Sequence, residues 1–352
     1  MRDLFDAVQV GDLNLPNRIA MAPMTRNRAE VNGDPNEMMA TYYSQRASFA
    51  LIITEGTQPA AAGQGYPRTA GMHTDAQEDG WRKVASSVHD SGGHIFVQLM
   101  HTGRIGHQEL TGLRPIAPSA IAPAGKVFTG QRMAPFDIPK AMDRVDLEEA
   151  KAAYVGAALR AIAAGCDGVE IHAANGYLPQ QFLSDNSNHR TDEYGGSPEK
   201  RASFVVEIVE AVSTAIGASR VGIRISPGAT VNDILETEMA PTYSALFDGI
   251  SRFGLAYLHI LKQPRFDGIN FSRVRWQGPL IVNTGVEDQD KVGSAKRLVE
   301  AGIADLVSFA RLALANPDLP RRIKESRPLN LPDRNTFYTN EEAGYLDYPV
   351  IT

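Results

Sequence analysis

Within six residues the segment "HAANGY" presents an imidazole, a carboxamide and a phenol, at His172, Asn175 and Tyr177. Each can donate a hydrogen bond, so the three could jointly hold one small ligand. A lone histidine at the end of an apolar stretch is more often structural than catalytic, and the spacing alone fixes no reaction. Arg224 raises a second question. It lies inside the apolar run "RVGIRIS", where an unpaired guanidinium would be costly. It needs an anionic or strongly accepting partner, either a carboxylate of the chain such as Glu170 or a bound ligand.

Composition narrows what scaffold and partners are available. A chain of 352 residues with 43% hydrophobic content can bury a full core, as one large α/β barrel or two smaller domains. The formal charge of −6, with Lys and Arg spread along the chain, gives no footprint for nucleic acid or an anionic membrane. No apolar run reaches the length of a membrane span, and "MRDLFDAVQVGDLNL" lacks the charged start and apolar centre of a signal peptide. A cytoplasmic location is expected. The single cysteine, Cys166, cannot form an internal disulfide or a cysteine-based metal or iron–sulfur site, and its apolar setting predicts a packed thiol. His101, His107, His189 and His259 show no metal-ligand pattern, so no metal site is expected.

From residue 147 onward, helix, glycine, short turn and buried strand alternate. "LEEAKAAYVGAALRAIAAG" places Leu147, Ala150, Tyr154, Ala157 and Ala161 on one helical face and stops at Gly165, before the strand "GVEIHA". "SPEKRASFVVEIVEAVSTAIG" repeats the pattern, with Ser197 as N-cap, Pro198 in the first turn and "RVGIRIS" following. Extended backwards, with helical stretches around 36–48 and 77–91, the reading gives eight strands: 18–24, 50–54, 94–99, 168–173, 221–226, 257–261, 279–283 and 306–310. Strands this apolar suit a parallel sheet covered by helices. The expectation is a single-domain (β/α)8 TIM barrel over residues 1–352. No "GxGxxG" follows an early strand, which counts against a dinucleotide-binding sheet. The Pro- and Gly-rich stretch 101–143, after the third strand, is too long for an ordinary connection and is expected to form a lid or cap.

Chemistry in such barrels gathers at the carboxyl ends of the strands. Those ends carry Thr25, Glu55 to Thr57, Gln98, the His172–Asn175–Tyr177 group, Arg224, Asn283 to Gly285 and Arg311. The loops after the seventh and eighth strands often bind phosphate; here Gly285 permits close backbone approach and Arg311 could pair with an anion.

The ordered motifs "NRIAMAPMTRNRA" (17–29), "TEGT" (54–57), "VQLMHTGR" (97–104), "HAANGYLPQQFLSDNSNHRTDEYGGSPEKR" (172–201), "GIRISP" (222–227), "ANPDLP" (315–320) and "TFYTNEEAGYLDYP" (336–349) resemble the old yellow enzymes over nearly the whole chain. Thr25 and the tail are similar to the branch of pentaerythritol tetranitrate and N-ethylmaleimide reductases. The resemblance implies an FMN-dependent ene-reductase using NADPH or NADH, with FMN held non-covalently. It places Pro23, Met24, Thr25, Gly56 and Gln98 around the flavin ring, Arg224 near its N1 and O2, and Gly285, Ala310 and Arg311 at the phosphate. It also assigns the opening trio. His172 and Asn175 would polarise the carbonyl of an activated alkene, such as an α,β-unsaturated ketone, aldehyde or maleimide. Hydride would reach the β-carbon from flavin N5, and Tyr177 would protonate the α-carbon.

Thr25, Met100 and Tyr338 would line the substrate pocket, Tyr338 from its own chain or a neighbouring subunit. Met100 stands where the branch often has tryptophan, which predicts a softer wall; Ala310 replaces a usual glycine. Two other readings of the same flavin barrel are a reductase of nitro compounds or nitrate esters and a non-catalytic redox sensor. Neither the physiological alkene nor the choice between monomer and homo-oligomer follows from the sequence.

Overall fold

The computed structural model describes residues 2–351, and eight parallel strands close into a barrel in chain order. They are β1 Ile19–Met21, β2 Leu51–Ile53, β3 Ile95–Leu99, β4 Gly168–Ala173, β5 Val221–Ile225, β6 Tyr257–Leu261, β7 Leu280–Asn283 and β8 Leu306–Phe309. β4 pairs with β3 on one side and β5 on the other, so the ring has no free edge. The expected strands are all present. β1 is shorter than expected, because the chain leaves the ladder before Pro23, which has no N–H to give it.

Each of the seven β-to-β connections carries one longer helix: α1 Glu37–Ser44, α2 Asp75–Asp90, α3 Arg144–Ala163, α4 Pro198–Ile216, α5 Met239–Ile250, α6 Gly268–Arg275 and α7 Lys291–Glu300. Their starts follow side-chain chemistry. Asp143 accepts from the amides of Val145 and Asp146, and Asp146 returns the bond, so α3 begins ahead of the apolar periodicity at Leu147. Thr74 and Gln77 cap α2 in the same reciprocal way. Ser197 caps α4, with Pro198 at its first position.

A hairpin not anticipated from the sequence, Val8–Val10 paired with Leu13–Leu15, lies ahead of the barrel. Val10 and Leu15 pack with Leu51, Phe96, Tyr257, Ile281 and Leu306 in a separate apolar cluster at the amino ends of the strands. This seals one end of the barrel, leaving the other for polar chemistry.

Residues 101–143 form no barrel strand. They contain short pairings, Lys126–Phe128 with Met133–Pro135 and Ile116–Ala117 with Lys140–Ala141, and they bring Phe136 against Met100, Ile105 and Tyr177. No helix among the described residues is long and apolar enough to cross a membrane. Cys166 is buried, and desolvation pushes its thiol far above the usual range, as expected of a packed thiol.

Candidate active site

His172 and Arg224 are register partners on β4 and β5, 2% and 5% exposed. The His172 Nδ1 and the Arg224 Nε are buried and have no hydrogen-bond partner among the described residues. Glu170, the intramolecular partner considered for Arg224, forms its hydrogen bonds elsewhere. Its Oε1 accepts from Gln98 Nε2 at 2.7 Å, and its Oε2 lies 2.8 Å from His259 Nδ1. It favours the Arg224 charge only through space, against a larger desolvation effect. A buried cation costs several kcal/mol unless it is well paired, so Arg224 is positioned for an acceptor that the chain does not contribute. Burial, and secondarily the Arg224 charge, hold His172 well below its ordinary pKa. It is therefore a neutral imidazole with one N–H to donate.

Asn175 sits in the left-handed region, with φ 56°. Asparagine tolerates this better than most residues, and the backbone is locked from both sides. The Asn175 N–H donates to Ser226 Oγ at 2.9 Å, and the Asn232 side chain donates to the Asn175 carbonyl at 2.7 Å. The Asn175 carboxamide itself makes no hydrogen bond among the described residues, so it is available for a ligand.

Two residues on, Tyr177 begins the short helix Leu178–Leu183 and meets the His172 ring edge-on, with centroids 5.1 Å apart. Its hydroxyl lies 3.0 Å from that of Tyr66. Burial raises the Tyr177 pKa well above the ordinary phenol value, and Tyr66 adds to the effect. The Asn232 amide acts in the opposite direction on both phenols.

Met100, Ile105 and Tyr177 form a small apolar cluster of their own, flanked by Tyr66 and Phe136. A Cβ on Gly56 would stand 2.5 Å from the Met100 sulfur, so a larger residue there would push the flexible end of the methionine aside. Gly56 thus borders the wall assigned to substrate as well as the ring assigned to cofactor.

At the opposite side, Gly285 has φ +82°, and a Cβ there would lie 2.9 Å from the Lys262 carbonyl oxygen. Its N–H turns back to Asn283 Oδ1 at 3.1 Å, while Lys291 donates to its carbonyl. Ala310 caps the short helix Arg311–Ala315, and the exposed Arg311 guanidinium lies 5.9 Å from the Phe337 ring centroid. Pro23 is buried, whereas Met24 and Thr25 are half-buried. A cavity of about 140 Å³ brings Met24, Thr25, Ala310, Arg311, Phe337 and Tyr338 together.

Tyr338, 67% exposed, enters this cavity from its own chain, because the tail is clamped to its own barrel. Arg26 Nη2 donates to the Gly344 carbonyl at 2.8 Å, and Arg28 donates to those of Thr336 and Phe337 at 2.8 and 2.9 Å. The Tyr345 ring stacks on Tyr42 with centroids 3.9 Å apart.

Sequence reading missed Tyr66, Asn232 and the bonds of His259. Tyr66 lies in the loop "GQGYPR", and no periodicity ties it to a partner 111 positions away. Asn232, with φ 59°, belongs to the turn "TVND", which offered only a weak signal. His259 was expected to be packed or solvated; it is packed, and it also bonds Glu170. No cluster of metal-ligating side chains occurs among the described residues.

The chain is similar to known proteins over nearly its whole length. The model of the NADH:flavin oxidoreductase / NADH oxidase family matches residues 3–330. A probable flavin mononucleotide-dependent alkene reductase of Leishmania infantum is 41% identical over 353 residues, covering 97% of this chain and 96% of that protein. Among solved structures, the old yellow enzyme homologue from Zymomonas mobilis superposes with a TM-score of 0.96 at 36% identity, covering 99% of this chain and 100% of the other. Morphinone reductase in complex with tetrahydroNAD gives a TM-score of 0.93 at 41% identity, covering 100% and 98%.

Proposed function

The chain belongs to the NADH:flavin oxidoreductase / NADH oxidase family, and from that premise we propose that it is an ene-reductase acting on α,β-unsaturated ketones, aldehydes or maleimides. Its cofactor is FMN and its reductant a reduced nicotinamide. When bound, FMN supplies hydride transfer, from the nicotinamide and on to the β-carbon of the alkene.

The observation that carries the proposal is the adjacent pair of buried, unpartnered polar atoms, His172 Nδ1 and Arg224 Nε. The two groups suit different acceptors. Arg224 fits the edge of a flavin ring that gains negative charge on reduction. Neutral His172 and the free carboxamide of Asn175 fit a carbonyl oxygen that becomes enolate-like in the transition state. Tyr177, packed against His172, holds its proton until the α-carbon becomes basic enough to take it. Its high pKa does not oppose this role, since geometry and the basicity of the acceptor govern the transfer.

Gln98 would meet the pyrimidine edge of bound FMN; Pro23, Met24, Thr25 and Gly56 would border its ring; and Gly285, Ala310 and Arg311 would receive its phosphate. Met100 and Tyr338 bound the substrate space with Thr25, and residues 101–143 cover it through Phe136. The test compares steady-state NADPH oxidation driven by 2-cyclohexen-1-one with that driven by a nitrate ester. The reading requires faster turnover of the enone; a nitrate ester preferred by tenfold or more overturns it.

A further inference from the structure

Five side chains from five strands form one hydrogen-bonded line through the barrel: Gln98, Glu170, His259, Ser308 and Asn283. None is more than 8% exposed. Burial lowers the His259 pKa, so its ring is neutral and carries one N–H. With Glu170 accepting at Nδ1, the Nε2 atom accepts the Ser308 hydroxyl at 2.9 Å, and Ser308 accepts from Asn283 at 3.1 Å. The donors all run toward Glu170.

This direction fixes Gln98. A glutamine amide has an accepting end and a donating end, and an unconstrained one could turn either toward a ligand. Here Nε2 donates to Glu170 at 2.7 Å, and a half-turn of the amide would set two acceptor oxygens against each other. Oε1 is left as the available end, and it makes no hydrogen bond among the described residues. Along the pyrimidine edge of an isoalloxazine, N1, O2 and O4 accept and only N3–H donates. A carbonyl oxygen aimed at that edge can be matched at N3 alone.

We infer that Glu170 is a positioning residue: held from behind by His259 and Ser308, it sets the Gln98 amide so that its carbonyl oxygen selects an N–H donor at the edge of the bound ring. The inference rests on the FMN reading. It also explains why Arg224 is left free, since the nearby carboxylate is already occupied by two other donors.

The test is a double-mutant cycle on FMN affinity. FMN is titrated into flavin-depleted wild-type protein, Gln98→Ala, Glu170→Met and the double variant, and followed by fluorescence quenching. Each single change is expected to weaken binding roughly tenfold, the worth of one hydrogen bond in a desolvated site. The double variant should bind within about twofold of Gln98→Ala, because Glu170 acts through Gln98. A purely structural Glu170 would give losses that multiply, about a hundredfold in the double variant, and that result overturns the inference.

A second readout is the nitrogen resonance of bound FMN labelled at N3. It should move in Glu170→Met toward its position in Gln98→Ala, and an unmoved signal contradicts the assignment. If Glu170→Met does not fold, Glu170→Asp replaces it, keeping the charge while withdrawing the acceptor by one methylene. Wild-type protein that takes up no FMN overturns the flavin reading and this inference with it. Uptake of FMN with multiplying losses overturns the inference alone.

Discussion

The hydroxyls of Tyr66 and Tyr177 lie 3.0 Å apart, joining the loop after β2 to the helix after β4. If Tyr177 donates the proton as proposed, this contact gives the buried phenol a second phenol through which that proton can be replaced. Tyr177→Phe should slow reoxidation of the reduced flavin by an enone by about 10²- to 10⁴-fold, the usual worth of a positioned acid. Flavin reduction by NADPH should stay within about twofold of wild type. Stopped-flow absorbance separates the two steps, and equal losses in both would remove Tyr177 from the protonation step.

Tyr66→Phe should have a smaller effect of the same kind. Loss of one hydrogen bond, about 1 kcal/mol, corresponds to a roughly three- to tenfold slower reoxidation. In a Tyr177→Phe background the Tyr66 change should add almost nothing, because the hydroxyl it served is gone. Independent, multiplying effects in the same stopped-flow experiment would show that Tyr66 acts elsewhere.

His172 and Tyr177 together predict a flat pH profile. The lowered His172 pKa keeps the imidazole neutral as pH falls through the ordinary histidine range, and the raised Tyr177 pKa keeps the phenol protonated as pH rises through 10. The rate of reoxidation by enone should therefore lack a break between about pH 6 and 9. A titration near the ordinary histidine value would place a charged His172 in the reaction. His172→Ala should weaken phenol binding to the oxidised protein about 10- to 100-fold, the range for a donor lost from a desolvated site.

Much of the barrel was legible because burial on both faces makes each strand a short apolar run, and each helix announces itself by spacing and caps. Eight such runs defined the ring. The hairpin Val8–Val10 with Leu13–Leu15 was passed over because its strands are only three residues each and its partners come from the far end of the barrel. At the site, His172, Asn175, Tyr177 and Arg224 were visible as polar groups at strand ends. What they bond was not. That Glu170 serves Gln98 and His259 rather than Arg224 depends on which way side chains point across the barrel interior, and apolar periodicity carries no record of it.

Glu55 links the site's surroundings to pH. It is fully buried, and desolvation raises its pKa from 4.5 to about 7 against the opposing field of Arg26. An acid whose folded-state pKa exceeds its unfolded value adds stability below the unfolded pKa and loses it as pH rises through the folded one. The contribution is on the order of 3 kcal/mol, at about 1.4 kcal/mol for each pH unit. Thermal unfolding should therefore shift downward by a few degrees between about pH 4.5 and 8, and Glu55→Gln should flatten that slope. An unchanged slope in the variant would assign the dependence to other groups.

In the proposed reaction a bound flavin accepts electrons from nicotinamide and gives them to an alkene. Its most direct test is an anaerobic visible spectrum of the purified protein, recorded before and after NADPH and again after 2-cyclohexen-1-one. Flavin bands should bleach with NADPH and return with the enone. A protein that stays colourless and unreactive after FMN is supplied, or bands that bleach but return only with air or a nitro compound, would contradict it.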